Sequence, residues 1–251
     1  MSDAFTNVYA DAERARACVG LEYPGTYFLA FRDLPAHLRG HVQGRRALDF
    51  GCGTGRSTRF LKNLGFDAIG IDIAEAMVAE ARARDPQGDY RVVPPDRPPV
   101  VPADAFDLIL AAFTFDNIPT GGTKTALFRV LGQALAPGGR LVLIVSTPEI
   151  DRHEWVSFST KDFPENRLQP DGGRVRIIML DVPDRRPVED IVWSDGAYRW
   201  VFGDAGLEVI ASHQPLGLPG EPFPWVSELT VPAWTIYVVG LSRGARRDRP
   251  A

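Results

Sequence analysis

Between residues 45 and 146 short apolar runs alternate with segments whose apolar positions recur at three- and four-residue spacing. The runs predict strands near 46–50, 67–71, 89–93, 106–112 and 139–145, and the spaced segments predict helices near 55–64, 74–84 and 123–135. This alternation of strands with helices specifies a parallel sheet with helices on both faces. Pro137-Gly138-Gly139 is read as stopping the last of these helices and turning the chain into the fifth strand. Ahead of the first strand, residues 4 to 40 predict two helices broken at Pro24-Gly25, the second with an apolar stripe of Tyr27, Phe28 and Phe31.

The alternation stops after residue 146. Residues 147–193 hold a polar run ending in Trp155, then Phe158 and Phe163, then two strand-like runs at 175–180 and 188–193 separated by Pro183 to Pro187. These runs predict an inserted hairpin. An insertion at the carboxyl ends of parallel strands lies on the ligand side of an open α/β sheet, so it is read as a lid over the pocket, with an edge extension of the sheet as the alternative. A helix over 194–204 with Ser194 as N-cap follows, and then strands at 206–211 and 234–241 flank a proline- and glycine-rich loop.

A chain of 251 residues with 45% hydrophobic content can bury one full core, so residues 1–251 are read as a single α/β domain. It divides into N-terminal helices (1–44), a core (45–146), the insertion (147–193), the rest of the core (194–242) and a tail (243–251). The tail is basic but lacks apolar periodicity, which makes it a frayed end and not a nucleic-acid arm. A net charge of -4 argues against nucleic acid or an anionic membrane as partner and directs the search to a small molecule. Cys18 and Cys52 form no C-x-x-C pair, there is no early apolar segment of signal type, and no run is long enough to span a bilayer. The expectation is a cytoplasmic protein. Oligomeric state is not written in these features.

The most specific chemistry lies in Asp49-Phe-Gly-Cys-Gly-Thr-Gly55 and in Gly70-Ile-Asp-Ile73. Gly51, Gly53 and Gly55 allow a tight turn after the first strand whose backbone can approach a ligand. The dinucleotide fingerprint G-x-G-x-x-G would need glycine where Arg56 stands. The tighter G-x-G-x-G suits a compact zwitterion read by Asp49, and Asp72, ending the second strand, can accept from both hydroxyls of a ribose.

Here the chain resembles the class I S-adenosylmethionine-dependent methyltransferases, whose first motif is matched by residues 49–55. Asp72 matches the family's ribose-binding acid, Asp96 lies near its adenine-contacting acid, and 106–110 and 135–143 match its fourth and fifth strands. The resemblance covers about residues 45 to 146. It implies a seven-stranded, mostly parallel Rossmann-like sheet with an antiparallel last strand, and S-adenosylmethionine as cofactor with S-adenosylhomocysteine as product. The implied cofactor contacts are Asp49, Gly51, Gly53, Gly55, Asp72, Ile73, Asp96, Ala112 and Phe113. Asp96 sits in a proline cluster that departs from the family's pattern, and it is either an adenine contact or a solvated loop carboxylate.

The implied reaction is methyl transfer to oxygen or nitrogen of a small aromatic or heteroaromatic metabolite, with carbon as a further target atom. A nucleotide-cofactor oxidoreductase on a related sheet and a non-catalytic cofactor-binding regulator are the alternatives. After the fourth strand, Asp116 and Asn117 either hold an acceptor heteroatom or shape the turn before Pro119. Phe115, Trp155 and Phe158 supply apolar lining for an acceptor. His153, flanked by Asp151 and Glu154, is the candidate general base, with an ordinary loop histidine as the alternative. His213 is assigned to the rim or a solvated turn, and Tyr9 and Tyr27 to cofactor contact or to packing. His37 and His41 have metal-ligand spacing but no third partner, so no metal is expected.

Overall fold

The computed structural model of the chain describes residues 11–18, 20–95, 98–242 and 244; Tyr9, Asp96 and nearly all of the basic tail lie outside them. The alternating segment builds β1 (Arg46–Phe50), α4 (Arg56–Asn63), β2 (Asp67–Asp72), α5 (Glu75–Arg84), β3 (Asp89–Val92), β4 (Phe106–Ala112), α6 (Gly121–Ala134) and β5 (Leu135–Ser146). They are preceded by α1 (Ala12–Cys18), α2 (Gly25–Arg32) and α3 (Leu34–His41). The chain continues through β6 (Phe158–Ser159), β7 (Arg174–Met179), β8 (Val188–Ile191), α7 (Asp195–Asp204), β9 (Leu207–His213) and β10 (Trp234–Leu241).

The main sheet has seven strands in the order β3-β2-β1-β4-β5-β10-β9. β1 pairs in parallel with β2 and β4, β2 with β3, and β4 with β5, while β10 runs antiparallel to both β5 and β9. Central strands covered on both faces read as unbroken apolar runs, and 108–112 and 141–145 do. Leu108 and Leu110 pack on one face with Leu29, Leu34 and Leu61, whereas Ile109 and Ala111 pack on the other with Phe128, Leu131 and Phe202. Ser194 caps α7, its hydroxyl accepting from Ala197 N.

Three local expectations need correction. The apolar helix after Pro24 is two helices meeting at Asp33, because Pro35 in the first turn of α3 has no N–H to continue the ladder. α6 ends at Ala134, before the Pro137-Gly138 turn, and β5 starts at Leu135 with an irregularity where Phe106 pairs Leu135 but Leu108 pairs Arg140. Residue 136, just before proline, is biased away from helix, and that bias acts upstream of the turn itself.

The insertion forms a separate three-stranded sheet, β6-β7-β8, with antiparallel pairings, so it does not extend the main sheet at its edge. It is fixed to the body by Glu228, fully buried, whose Oε1 accepts from Thr26 Oγ1 on α2 (2.6 Å) and from Val156 N (2.8 Å), while Oε2 accepts from Val226 N (2.8 Å). One carboxylate thus joins an N-terminal helix, the insertion and the loop before β10.

Candidate active site

The turn after β1 places Gly51, Gly53 and Gly55 in the left-handed region, at φ 76°, 52° and 80°. A side chain at Gly51 would collide with Thr114, whose hydroxyl donates to Phe50 O, and one at Gly55 would meet the Tyr90 ring at 2.8 Å. A Cβ on Gly53 meets no protein atom within 4 Å and would occupy open space along the cavity that Gly53 lines. The turn is closed by Gly51 N and Cys52 N donating to Ile71 O, and by Gly53 N donating to Asp72 Oδ2 at 2.8 Å. Ala74 N donates to Asp72 Oδ1, also at 2.8 Å. The Asp72 carboxylate, whose two oxygens offer about four acceptor sites, lines the cavity with acceptor capacity beyond these bonds.

That cavity measures about 540 Å³ and runs from the glycine turn to the inserted sheet. Of the residues singled out in the sequence, Gly51, Gly53, Asp72, Ile73, Ala112, Phe113, Asp116, Asn117, Phe158 and Tyr27 line it. Pro94, Pro95, Pro98 and Pro99 form part of its wall, so the proline cluster around residue 96 rims the glycine-turn end. Tyr27 packs against Phe113, Phe158 and Trp234 and also lines the cavity. Cys52 sits in the turn with its thiol pushed up by burial, a small inert group.

Several assignments are corrected by the geometry. Asp49 is fully buried behind the turn and does not line the cavity: its Oδ2 accepts from Ser57 Oγ (2.7 Å) and Thr58 Oγ1 (2.6 Å), and burial raises its pKa to about 6. It ties the end of β1 to the first turn of α4. Gly55 also stays behind the cavity wall, as the N-cap of α4. Phe115 is buried and stacked on Phe128 at 4.2 Å in the core, away from the cavity. Trp155 is buried with its Nε1 donating to Ile150 O, a core residue of the insertion and not pocket lining.

His153 lies outside the cavity lining, its Nδ1 3.2 Å from Glu149 O, so the general-base assignment has no geometric support. The flanking carboxylates are occupied elsewhere: Glu154 accepts from Ser159 and Thr160, and Asp151 is buried. His213 pairs with Asp33 at 2.9 Å and lies beside His37, and no group of metal-ligating residues occurs among the described residues.

Asp116 fares differently. It is buried in the 3-10 turn after β4, accepts from Ser146 N and Oγ, and has Tyr198 OH at 3.5 Å. Behind it Lys124 of α6 is fully buried, its Nζ donating to Phe115 O and lying over the Trp193 and Tyr198 rings. Burial pushes the Lys124 ammonium below its ordinary value and the Asp116 carboxyl above its own. Asp190 on β8 also lines the cavity, and burial lifts it to about 7. Lys124 and Asp190 were missed in the sequence. Lys124 stands four and seven residues before Phe128 and Leu131, which places it on the buried face of α6, and Asp190 shares a strand face with Val188.

Arg56, the residue that excluded a dinucleotide fingerprint, also lines the cavity, with Tyr27, Phe31 and Phe113 within 5.6 Å of its guanidinium carbon.

A family model described as a methyltransferase domain matches residues 25–212. The chain belongs to the class I S-adenosylmethionine-dependent methyltransferases. The methyltransferase is 29% identical over 127 residues to a ubiquinone biosynthesis O-methyltransferase of Bordetella avium, covering 49% of this chain and 45% of that one. It is 30% identical over 154 residues to a trans-aconitate 2-methyltransferase of Variovorax paradoxus, covering 58% and 49%. The match thus spans about half the length of these curated relatives. In fold it is similar to an S-adenosylmethionine-dependent methyltransferase from Mesorhizobium loti, with a TM-score of 0.58, 23% identity and coverage of 82% and 96%.

The cavity suits this family's cofactor: the open space at Gly53 admits a ligand against the backbone, the Asp72 carboxylate is an acceptor for ribose hydroxyls, and Ile73 and Met77 supply an apolar wall for a base. No helix among the described residues is long and apolar enough to cross a membrane.

Proposed function

We propose that this methyltransferase transfers a methyl group from S-adenosylmethionine to oxygen or nitrogen of a small, largely apolar and aromatic acceptor. The observation that carries the reading is the continuity of one cavity from the glycine turn and Asp72 to a chamber walled by Phe158, Ile177, Met179, Val188 and Trp234. A regulator that only sensed the cofactor would have no use for that second chamber.

When bound, the cofactor supplies a methyl group on a sulfonium, so the protein's task is alignment and exclusion of water. Gly51 and Gly53 let the backbone close on the ligand, and Asp72 fixes the ribose hydroxyls. Phe113, held at φ 63° after β4, lines the cavity with its ring packed on Tyr27 and Trp234. The inserted sheet covers the acceptor end. Asp116, with an oxygen held by Ser146 and a cation behind it, can orient an acceptor heteroatom that reaches the chamber floor.

Incubation with S-adenosylmethionine and a panel of aromatic alcohols, phenols and amines, with S-adenosylhomocysteine followed by mass spectrometry, tests the reading. Acceptor-dependent product supports it. Cofactor binding with no turnover across the panel favours the regulator instead.

A further inference from the structure

The acceptor chamber is apolar except at one place. Asp116, from the 3-10 turn after β4, and Asp190, from the inserted strand β8, both line it, and the turn and β8 are packed against each other. Asp116 has its oxygens engaged by Ser146 and Tyr198, whereas Asp190 Oδ1 is buried without a hydrogen-bond partner. A buried oxygen without a donor costs free energy unless a bound molecule supplies one.

The charges around it leave no doubt about sign. Facing Asp190 are Asp116 and the buried Asp151, and its neighbour on the strand is Glu189; Tyr198 contributes only a neutral hydroxyl. Among the described residues the cation acting on both Asp190 and Asp116 is Lys124, which donates to Phe115 O from behind Asp116 and is not part of the cavity wall. Arg56 lines the same cavity with its guanidinium over the Tyr27 and Phe113 rings. One lysine therefore stands as the counter-charge for this pair of carboxylates.

We propose that the methyl acceptor is an amine carried on an apolar or aromatic body, seated with its ammonium between Asp190 and Asp116, and that Asp190 removes its proton. This names a substrate class for the methyltransferase reading above and rests on it. The carboxylate oxygen of Asp190 forms an O–H bond as one N–H bond of the ammonium breaks. The electron pair of that bond stays on nitrogen as the lone pair that methyl transfer requires. One ammonium and one carboxylate become one neutral amine and one carboxylic acid, so charge and atoms balance without a further reactant. An anionic acceptor is disfavoured by the same carboxylates, and a neutral alcohol would gain less from them.

The geometry agrees with the chemistry of a base that works near neutral pH. Burial and the Asp116 charge both raise Asp190, so in the empty chamber it holds its proton part of the time and releases it when an ammonium arrives.

Three probes of matched size test the inference: 3-phenylpropylamine, 3-phenylpropanol and 3-phenylpropionate, titrated calorimetrically at pH 7 with and without S-adenosylhomocysteine, in two buffers of different ionisation enthalpy. The amine is expected to bind about tenfold or more tighter than the alcohol, with proton release to the buffer, and the acid to bind weakest. Asp190→Asn should abolish both the preference and the proton release, Asp116→Asn should weaken the preference, and Asp190→Glu should restore part of it. Equal binding of amine and alcohol to the wild type, or a preference unchanged in Asp190→Asn, overturns the proposal. These readouts on the wild type hold even if a variant fails to fold. Failure of S-adenosylhomocysteine to bind would instead overturn the cofactor reading, which the titrations without it keep separate.

Discussion

The backbone N–H of Gly53 donates to Asp72 Oδ2 at 2.8 Å, so the carboxylate that ends β2 and the glycine turn that ends β1 are one unit. Asp72 shapes the turn from within the protein and offers its remaining lone pairs outward to the cavity. A ligand that spans turn and carboxylate is bound by parts already held in place.

Removing that carboxylate should act on cofactor first. Asp72→Ala deletes two ribose contacts to a charged group, each worth about 1.5–3 kcal/mol, and affinity for S-adenosylhomocysteine should fall about tenfold or more. Calorimetric titration of the variant checks this. Unchanged affinity would remove Asp72 from the site.

Trp155 and His153 are neighbours in sequence with opposite expected behaviour. Trp155 is buried in the insertion, so Trp155→Ala should cost about 3–5 kcal/mol of stability in denaturant titration, with cofactor affinity of the folded fraction retained. His153→Ala should change turnover by less than about threefold at any pH, because a general base would carry a factor of at least about 10². A large loss of turnover in His153→Ala with intact stability would return the histidine to the site.

Buried carboxylates give the protein a pH signature. Asp49 is raised to about 6 and Asp190 to about 7, from an ordinary 3.8, and burial raises Asp116 as well. Between those limits the unfolded chain has released these protons and the folded chain still holds them, so the unfolded state binds fewer protons and stability falls as pH rises. Asp33 and Asp184, lowered to about 2 by Arg32 and Arg186, add an opposing slope only near and below the unfolded value of 3.8 and are ionised in both states above about pH 5. Thermal melts should therefore decline from about pH 5 to about pH 7, and Asp190→Asn should flatten the decline. A melting temperature that climbs through this window contradicts the burial of these groups.

The parallel sheet, the glycine turn and Asp72 were legible because each depends on local pattern: apolar runs, glycine spacing and a carboxylate at a strand end. Ser194 as a cap was legible for the same reason. The chamber was not, because it is made by contacts distant in sequence. β6 is only two residues long and carries no strand signal of its own, yet it completes the inserted sheet. Trp155 looked like pocket lining because aromatic residues serve cores and sites equally well, and only the packing separates the two. His153 drew attention by residue type, whereas the groups that face the acceptor chamber are Asp116 and Asp190, brought together by the fold of the insertion over the turn after β4.

The central claim is that the cavity at the glycine turn is built for S-adenosylmethionine and not for a dinucleotide. Titration of S-adenosylhomocysteine and of NAD into the wild-type chain tests it most directly. Saturable binding of S-adenosylhomocysteine at one site per chain is expected, with no comparable binding of NAD. Tighter binding of NAD, or no binding of S-adenosylhomocysteine, would contradict it.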